Sequence, residues 1–328
     1  MNNFKHQHAA HCETGVMSTM LKHYGCDVSE AMVLGLSSSI AFAYLPFIKL
    51  NGLPLVSYRM PPGSIIKRLQ KRLGLNVSFE KFSSPQQGME ALDKQLSVGN
   101  IVGLQTSVFW LPYFPDDMRF HFNAHNLIVY GKEGNNYLIS DPVFEEPVVC
   151  SVKDLQKSRF AKGAFAPKGA MYYLNEKPGS INYTKAIPLA IKKNVRALTL
   201  PVPIIGIKGI HFLANKLARL HKAMPENKQQ RLFLGHIVRM QEEIGTGGAG
   251  FRYIYASFLQ EAAAITNNNL LTEASEMMTD VGDQWRNFAL HTVKMCKNRS
   301  KFNMQKLSEL LHACAVEEAK VWKLLKTI

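Results

Sequence analysis

Cys12, His125 and Asp141 have the residue types and local settings of a thiol nucleophile, its base and the carboxylate that orients the base. Cys12 is followed by Val16, Met17, Met20, Leu21 and Tyr24, an apolar stripe at helical spacing, and Gly25 stands where such a helix stops. The spacing puts Cys12 at or near a helix N-terminus, where unpaired N–H groups and the helix dipole favour a thiolate. A neighbouring imidazole completes the activation of such a thiol. A carboxylate on the far ring nitrogen then fixes the tautomer and orientation of that imidazole.

The residues that must carry the imidazole and the carboxylate read as a β-hairpin. Asn126 to Tyr130 and Tyr137 to Ser140 are strand-like, and the glycine- and asparagine-rich 131–136 joins them. With 130 opposite 136, residue 125 falls opposite 141, and directly opposed residues project to one face. His121, four residues upstream, is the competing base. Each residue also has a plainer reading: a buried thiol, a satisfied histidine at a strand start, an Asp-Pro turn. The three arriving together favour chemistry. His6, His8 and His11 crowd the cysteine without regular ligand spacing, so no metal site is expected.

Upstream of the hairpin, Gln86 to Leu96 reads as a helix and Asn100 to Phe109 as a buried strand; downstream, Val148 to Val152 and Gly169 to Leu174 read as short strands. From about Thr184 the pattern changes to long helical periods over Glu226 to Ile244, Phe251 to Thr266, Leu270 to Lys297 and Asn303 to Lys326. The chain of 328 residues is therefore expected to be α+β over 1–178, followed by an all-helical C-terminal domain over 183–328, with Pro178 to Asn182 as linker.

A composition of 46% hydrophobic and 20% charged residues is that of a globular protein. The formal charge is +14, and Lys185 to Met224 carries eight Lys/Arg with no acidic residue. Lys192, Lys193, Arg196, Lys208, Lys216, Arg219 and Lys222 would attract an acidic partner, and the apolar face Ile210, Leu213, Leu217 and Leu220 beside them suits an anionic membrane surface; a simple solvated helix face is the plainer reading. No nucleic-acid-binding motif accompanies the charge, so nucleic acid is not an expected partner. Five scattered cysteines without a Cys-x-x-Cys pair indicate neither disulfides nor zinc, and the N-terminus lacks a secretory h-region. Both point to the cytoplasm, with contact at the inner membrane face as a variant. The apolar runs Ala31 to Ile48 and Ala197 to Asn215 are interrupted by glycine, proline, serine or lysine and read as buried rather than membrane-spanning.

His11-Cys12-Glu13-Thr14-Gly15, then Ala124 to Gly131 and Ile139 to Pro142, in the order Cys, His, Asp, resemble the papain-like bacteriocin-processing cysteine peptidases. Together with Phe109-Trp110-Leu111-Pro112-Tyr113 and Glu243 to Arg252, they are more similar to the butirosin biosynthesis protein H acyltransferase family, which has a helical C-terminal domain. The resemblance implies a papain-like fold. It implies an acyl transfer from the phosphopantetheine thioester of an acidic acyl carrier protein, through acyl-Cys12, to an amine or hydroxyl of a small-molecule or lipid acceptor, with hydrolysis as the side reaction and no resident cofactor. Papain-like enzymes carry an oxyanion-hole glutamine six residues before the cysteine. Here that position is His6 and the glutamine is Gln7, so both are candidates.

Phe42, Tyr44, Phe109, Trp110, Tyr113 and Phe114 would suit an acyl chain or, equally, a core. Gly245 to Gly250 matches G-x-G-x-x-G, but it follows a helical segment and not a strand, which argues against a dinucleotide fingerprint. Gly247, Gly248 and Arg252 instead offer an anion site for the phosphopantetheine phosphate, or a tight turn between helices. The alternatives to acyl transfer are a cysteine peptidase, amidase or thioesterase, and a non-catalytic module that binds a carrier protein or a membrane.

Overall fold

A computed structural model describes residues 4–50, 52–223 and 227–328; the side chains at 50 and 221–223, and with them the basic residue Lys222, lie outside the described set. In chain order come helices α1 (Cys12–His23) and α2 (Glu30–Leu36), strands β1 (Ile40–Leu50) and β2 (Leu53–Arg59), helix α3 (Ser64–Leu73), strand β3 (Val77–Glu80) and helix α4 (Pro85–Ser97). Strands β4 (Val102–Thr106), β5 (His125–Glu133), β6 (Asn136–Ser140) and β7 (Val148–Ser151), helix α5 (Val152–Arg159) and strand β8 (Met171–Leu174) follow. The chain ends in helices α6 (Tyr183–Leu198), α7 (Gly206–Ala223), α8 (Lys228–Val238), α9 (Arg252–Thr266), α10 (Asn269–Cys296) and α11 (Met304–Leu325). The fold is mixed α and β with a helical C-terminal region, as expected.

Two compact units emerge: Met1–Val33 with Ile65–Ile181, and Leu34–Ser64 with Asn182–Ile328. This differs from the contiguous division at 178–183. An isolated two-stranded hairpin is marginal in water, and β1–β2 buries Phe42, Tyr44 and Tyr58 among the C-terminal helices. Phe42 lies 5.8 Å from Trp285, and Tyr44 lies 5.6 Å from Phe212, ring centre to ring centre. The second unit is therefore helices plus a hairpin, not helices alone. Phe42 and Tyr44 are core residues within it. No described helix is long and apolar enough to cross a membrane.

The first unit is built on a six-stranded antiparallel sheet in the order β3-β8-β4-β5-β6-β7. Val102 and Leu104 of β4, Leu127 and Val129 of β5, and Tyr137 and Ile139 of β6 alternate onto one face, where Met89 and Leu92 of α4 and Leu155 of α5 cover them. α1 packs against β5. Gly103 leaves the space that the Tyr172 ring occupies, since a Cβ there would come within 2.2 Å of it.

The β5–β6 register departs from the expected one. Ile128 pairs with Ser140 and Val129 with Ile139; a bulge before Gly131 then brings Glu133 opposite Asn136. The turn is shorter than 131–136, with Gly134 in the left-handed region at φ +55°. Extended by one step, the register sets Asp141 opposite Leu127, diagonal to His125. A slip of two residues preserves the face, so both side chains still project to the same side.

Candidate active site

Cys12 opens α1, and its N–H has no carbonyl one turn earlier to bind. The helix starts where it does because His11 caps it: its Nδ1 accepts from the Thr14 N–H at 3.3 Å. Glu30 holds the loop from outside. Its carboxylate accepts from the Ala10 N–H (2.9 Å), the His11 N–H (2.7 Å) and the Thr14 hydroxyl (2.8 Å), fixing the two residues before the cysteine. Gly15 lets α1 close on the segment after β6, because a Cβ would stand 2.5 Å from Ala9 Cβ and 2.9 Å from Pro142 Cβ. The Ala9 N–H donates to the Pro142 carbonyl at 2.9 Å across the same contact. The loop before Cys12 and the Asp141-Pro142 turn are thus one packed piece.

His125 begins β5, where it pairs with Thr106 of β4. His125 Nε2 lies 2.7 Å from Asp141 Oδ2, and both side chains are buried. The Cys12 sulfur is near enough to act on this ring; with Nε2 on Asp141, Nδ1 is the nitrogen left to face it. Burial opposes charge on this imidazole, but the Asp141 carboxylate and the Cys12 sulfur outweigh it and raise the pKa to about 10. Asp141 is held in turn by the Tyr113 hydroxyl, donating to Oδ2 at 2.9 Å, and by the Val143 N–H, donating to Oδ1 at 3.1 Å. Phe114 stands edge-on to the His125 ring at 5.4 Å and packs on Phe144 at 4.9 Å. The pair is shielded from water on that side.

The structure brings Cys12, His125 and Asp141 together and separates them from several other candidates. His121 is exposed and stacks on Phe109 at 4.0 Å. His6 has both ring nitrogens occupied: Nε2 lies 2.9 Å from the Phe144 carbonyl and Nδ1 2.7 Å from Ser140 Oγ. It ties the N-terminal segment to the loop after Asp141 and has no nitrogen left for an oxyanion; Gln7, half-buried beside it, keeps that candidacy. Tyr113 supports Asp141 rather than lining an acyl-chain pocket. Phe109 and Trp110 line a separate cavity of about 490 Å³ with Pro112, Arg119 and Lys157, to which Cys12, His125 and Asp141 do not contribute.

In the second unit, Arg252 is no anion ligand. Its guanidinium is fully buried, donates to Glu318 through Nε (3.1 Å) and Nη2 (2.8 Å), and reaches the Gly250 carbonyl through Nη1 (2.7 Å). The indole N–H groups of Trp285 and Trp322 complete the Glu318 carboxylate. Gly247 and Gly248 are left-handed, at φ +65° and +85°, in a tight turn in which the Ala249 N–H donates to Glu242. Lys192, Lys193, Arg196, Lys216 and Arg219 are exposed on α6 and α7. Among the described residues no group of three or more His, Cys, Asp or Glu could hold a metal ion.

Glu30 escaped the sequence reading because a carboxylate 18 residues after the cysteine carries no local signal of its target. Tyr113 stood in a motif already singled out, but its partner across the sheet lies 28 positions away.

Residues 11–142 match the family described as butirosin biosynthesis protein H, N-terminal, and residues 153–325 match the one described as a domain of unknown function, DUF4872. Among solved structures the chain is similar to a C39-like peptidase from Bacillus anthracis, with 16% identity and a TM-score of 0.39 over 54% of this chain and 97% of that one. No curated protein matches it in sequence. With more than half of its length matched by DUF4872 and its Cys12 to Asp141 segment by the other model, the chain belongs to the DUF4872 family and is a butirosin-biosynthesis-protein-H-like protein.

Proposed function

We propose that this protein is an acyltransferase that accepts an acyl group from the phosphopantetheine thioester of an acidic acyl carrier protein onto Cys12 and passes it to an amine or hydroxyl acceptor. The observation that carries the reading is His125, buried with Nε2 2.7 Å from Asp141 Oδ2, its other ring nitrogen left for the nearby Cys12 thiol. That arrangement lets one imidazole hold the thiol proton while the sulfur attacks.

In the first half-reaction the Cys12 sulfur attacks the thioester carbonyl. The oxyanion meets the Cys12 N–H at the start of α1 and, in this reading, the Gln7 amide. The carbon–sulfur bond to the carrier breaks, and the departing thiolate takes its proton from the His125 imidazolium. In the second half-reaction the acceptor attacks acyl-Cys12, His125 takes the acceptor's proton, the bond from the acyl carbon to Cys12 Sγ breaks, and the departing thiolate takes that proton back from His125. Asp141 holds the ring throughout. Exposed cations on α6 and α7 suit an acidic carrier, chiefly by raising the encounter rate.

Intact-mass spectrometry after incubation with a panel of acyl carrier protein thioesters tests this. A mass gain equal to the acyl group, lost in Cys12→Ala, is expected. Free acid released without any acceptor would favour a thioesterase or amidase. No adduct and no carrier turnover in either protein would leave a non-catalytic module.

A further inference from the structure

The loop after α5, residues 160–169, frames a cavity of about 500 Å³ in the first unit. Its floor is apolar, formed by the rings of Phe82 and Phe160, and Lys81, Lys162 and Lys168 stand around it with no carboxylate among the lining residues. All three lysines are exposed, so their charge is hydrated but not cancelled. Phe160 is wedged in place: a Cβ on Gly88 or Gly169 would stand 2.6 or 2.5 Å from its ring. Phe165 and Lys168 hold left-handed backbone at φ +55° and +54°, a conformation that costs energy in non-glycine residues and is kept only where surroundings impose it. The cavity is therefore built into the fold.

It is also joined to the triad's own strand. Asn123, two residues before His125, donates through Nδ2 to the carbonyls of Lys162 (3.1 Å) and Ala164 (2.9 Å). Gln105 donates to the Asn123 and Phe165 carbonyls at 2.9 and 3.1 Å. Asn123 is itself buried, so it fixes the loop to the strand from beneath.

We infer that this cavity receives the phosphate end of the phosphopantetheine arm. The arm carries its phosphate one carbon away from a gem-dimethyl group and continues through two amides to the thiol. Ammonium groups around an aromatic floor match that succession of anion and branched alkyl. The inference rests on the acyl-transfer reading for its substrate and replaces Arg252 as the phosphate ligand.

Calorimetric binding of 4′-phosphopantetheine and of pantetheine to the full-length Cys12→Ala protein tests the cavity without any catalysis. The phosphate should tighten binding about tenfold, as a charge-assisted contact does. A Lys81→Ala, Lys162→Ala, Lys168→Ala triple variant should bring the two affinities together. Equal affinities in the parent protein, or an advantage for phosphate that survives in the triple variant, would overturn the inference. The acyl-transfer reading is judged separately, by acyl-pantetheine labelling of Cys12 in the wild-type protein. Labelling by acyl-pantetheine with no preference for phosphate refutes the cavity alone; a phosphate preference in binding with no labelling by any thioester refutes the transfer alone.

Discussion

His125 Nε2 and Asp141 Oδ2 are 2.7 Å apart, and the same Oδ2 accepts the Tyr113 hydroxyl at 2.9 Å. One carboxylate oxygen thus fixes both the base and the residue behind it. Asp141→Asn keeps the size of the side chain but presents an amide that can favour the wrong tautomer. Acylation of Cys12 should fall by roughly 10² to 10⁴-fold in the folded variant. Stopped-flow acylation rates check this, and a loss below tenfold would remove Asp141 from the triad.

Tyr113→Phe deletes one neutral-to-charged hydrogen bond and little else. Such a bond contributes about 1.5–3 kcal/mol, so acylation should slow by roughly tenfold or more. A stability loss with an unchanged acylation rate would make Tyr113 a packing residue only.

Glu30 grips two backbone N–H groups and a hydroxyl beside Cys12. Glu30→Ala should lower stability by about 1–3 kcal/mol. It should also slow alkylation of Cys12 by iodoacetamide, since the loop that presents the thiol loosens. Glu30→Gln, which keeps one acceptor, should restore part of both.

His125 titrates near 10 in the folded chain against an ordinary 6.5. Between those values the folded state binds a proton that the unfolded state has released, so stability falls as pH rises through this window. The contribution is complete below about pH 6.5 and is gone above 10. Urea unfolding from pH 6 to 10 should show this decline in the wild type and a flatter line in Asp141→Asn.

In the second unit, Glu318→Ala leaves the Arg252 guanidinium buried without its carboxylate, a change that costs about 3–5 kcal/mol. Arg252→Met combined with Glu318→Leu removes both charges and should recover most of that loss. Thermal denaturation distinguishes the two variants. Equal losses would mean that Arg252 has another partner.

Much of this was readable in the residues. The stripe after Cys12 became α1, and the periods from 251 onward became α9, α10 and α11 within a few residues, because long amphipathic helices carry their signal locally. The pairing of His125 with Asp141 was legible because the two residues lie close together in sequence, and a register error of two residues leaves the face unchanged. Contacts set by distant partners were not legible. Nothing near Arg252 announces Glu318, 66 residues later, and nothing near His6 announces Ser140. β1 and β2 were hidden because their apolar run reads equally well as a buried segment of any kind.

The allegiance of Leu34–Ser64 to the C-terminal helices has a consequence for inheritance and for synthesis. The hairpin leaves the ribosome more than a hundred residues before α6, so it must wait for the surface that completes it. Exchange of the segment 153–325 between relatives would separate that hairpin from the helices it was selected with. A successful chimaera would have to carry two non-adjacent stretches of gene from one parent, and natural recombinants should show the same linkage.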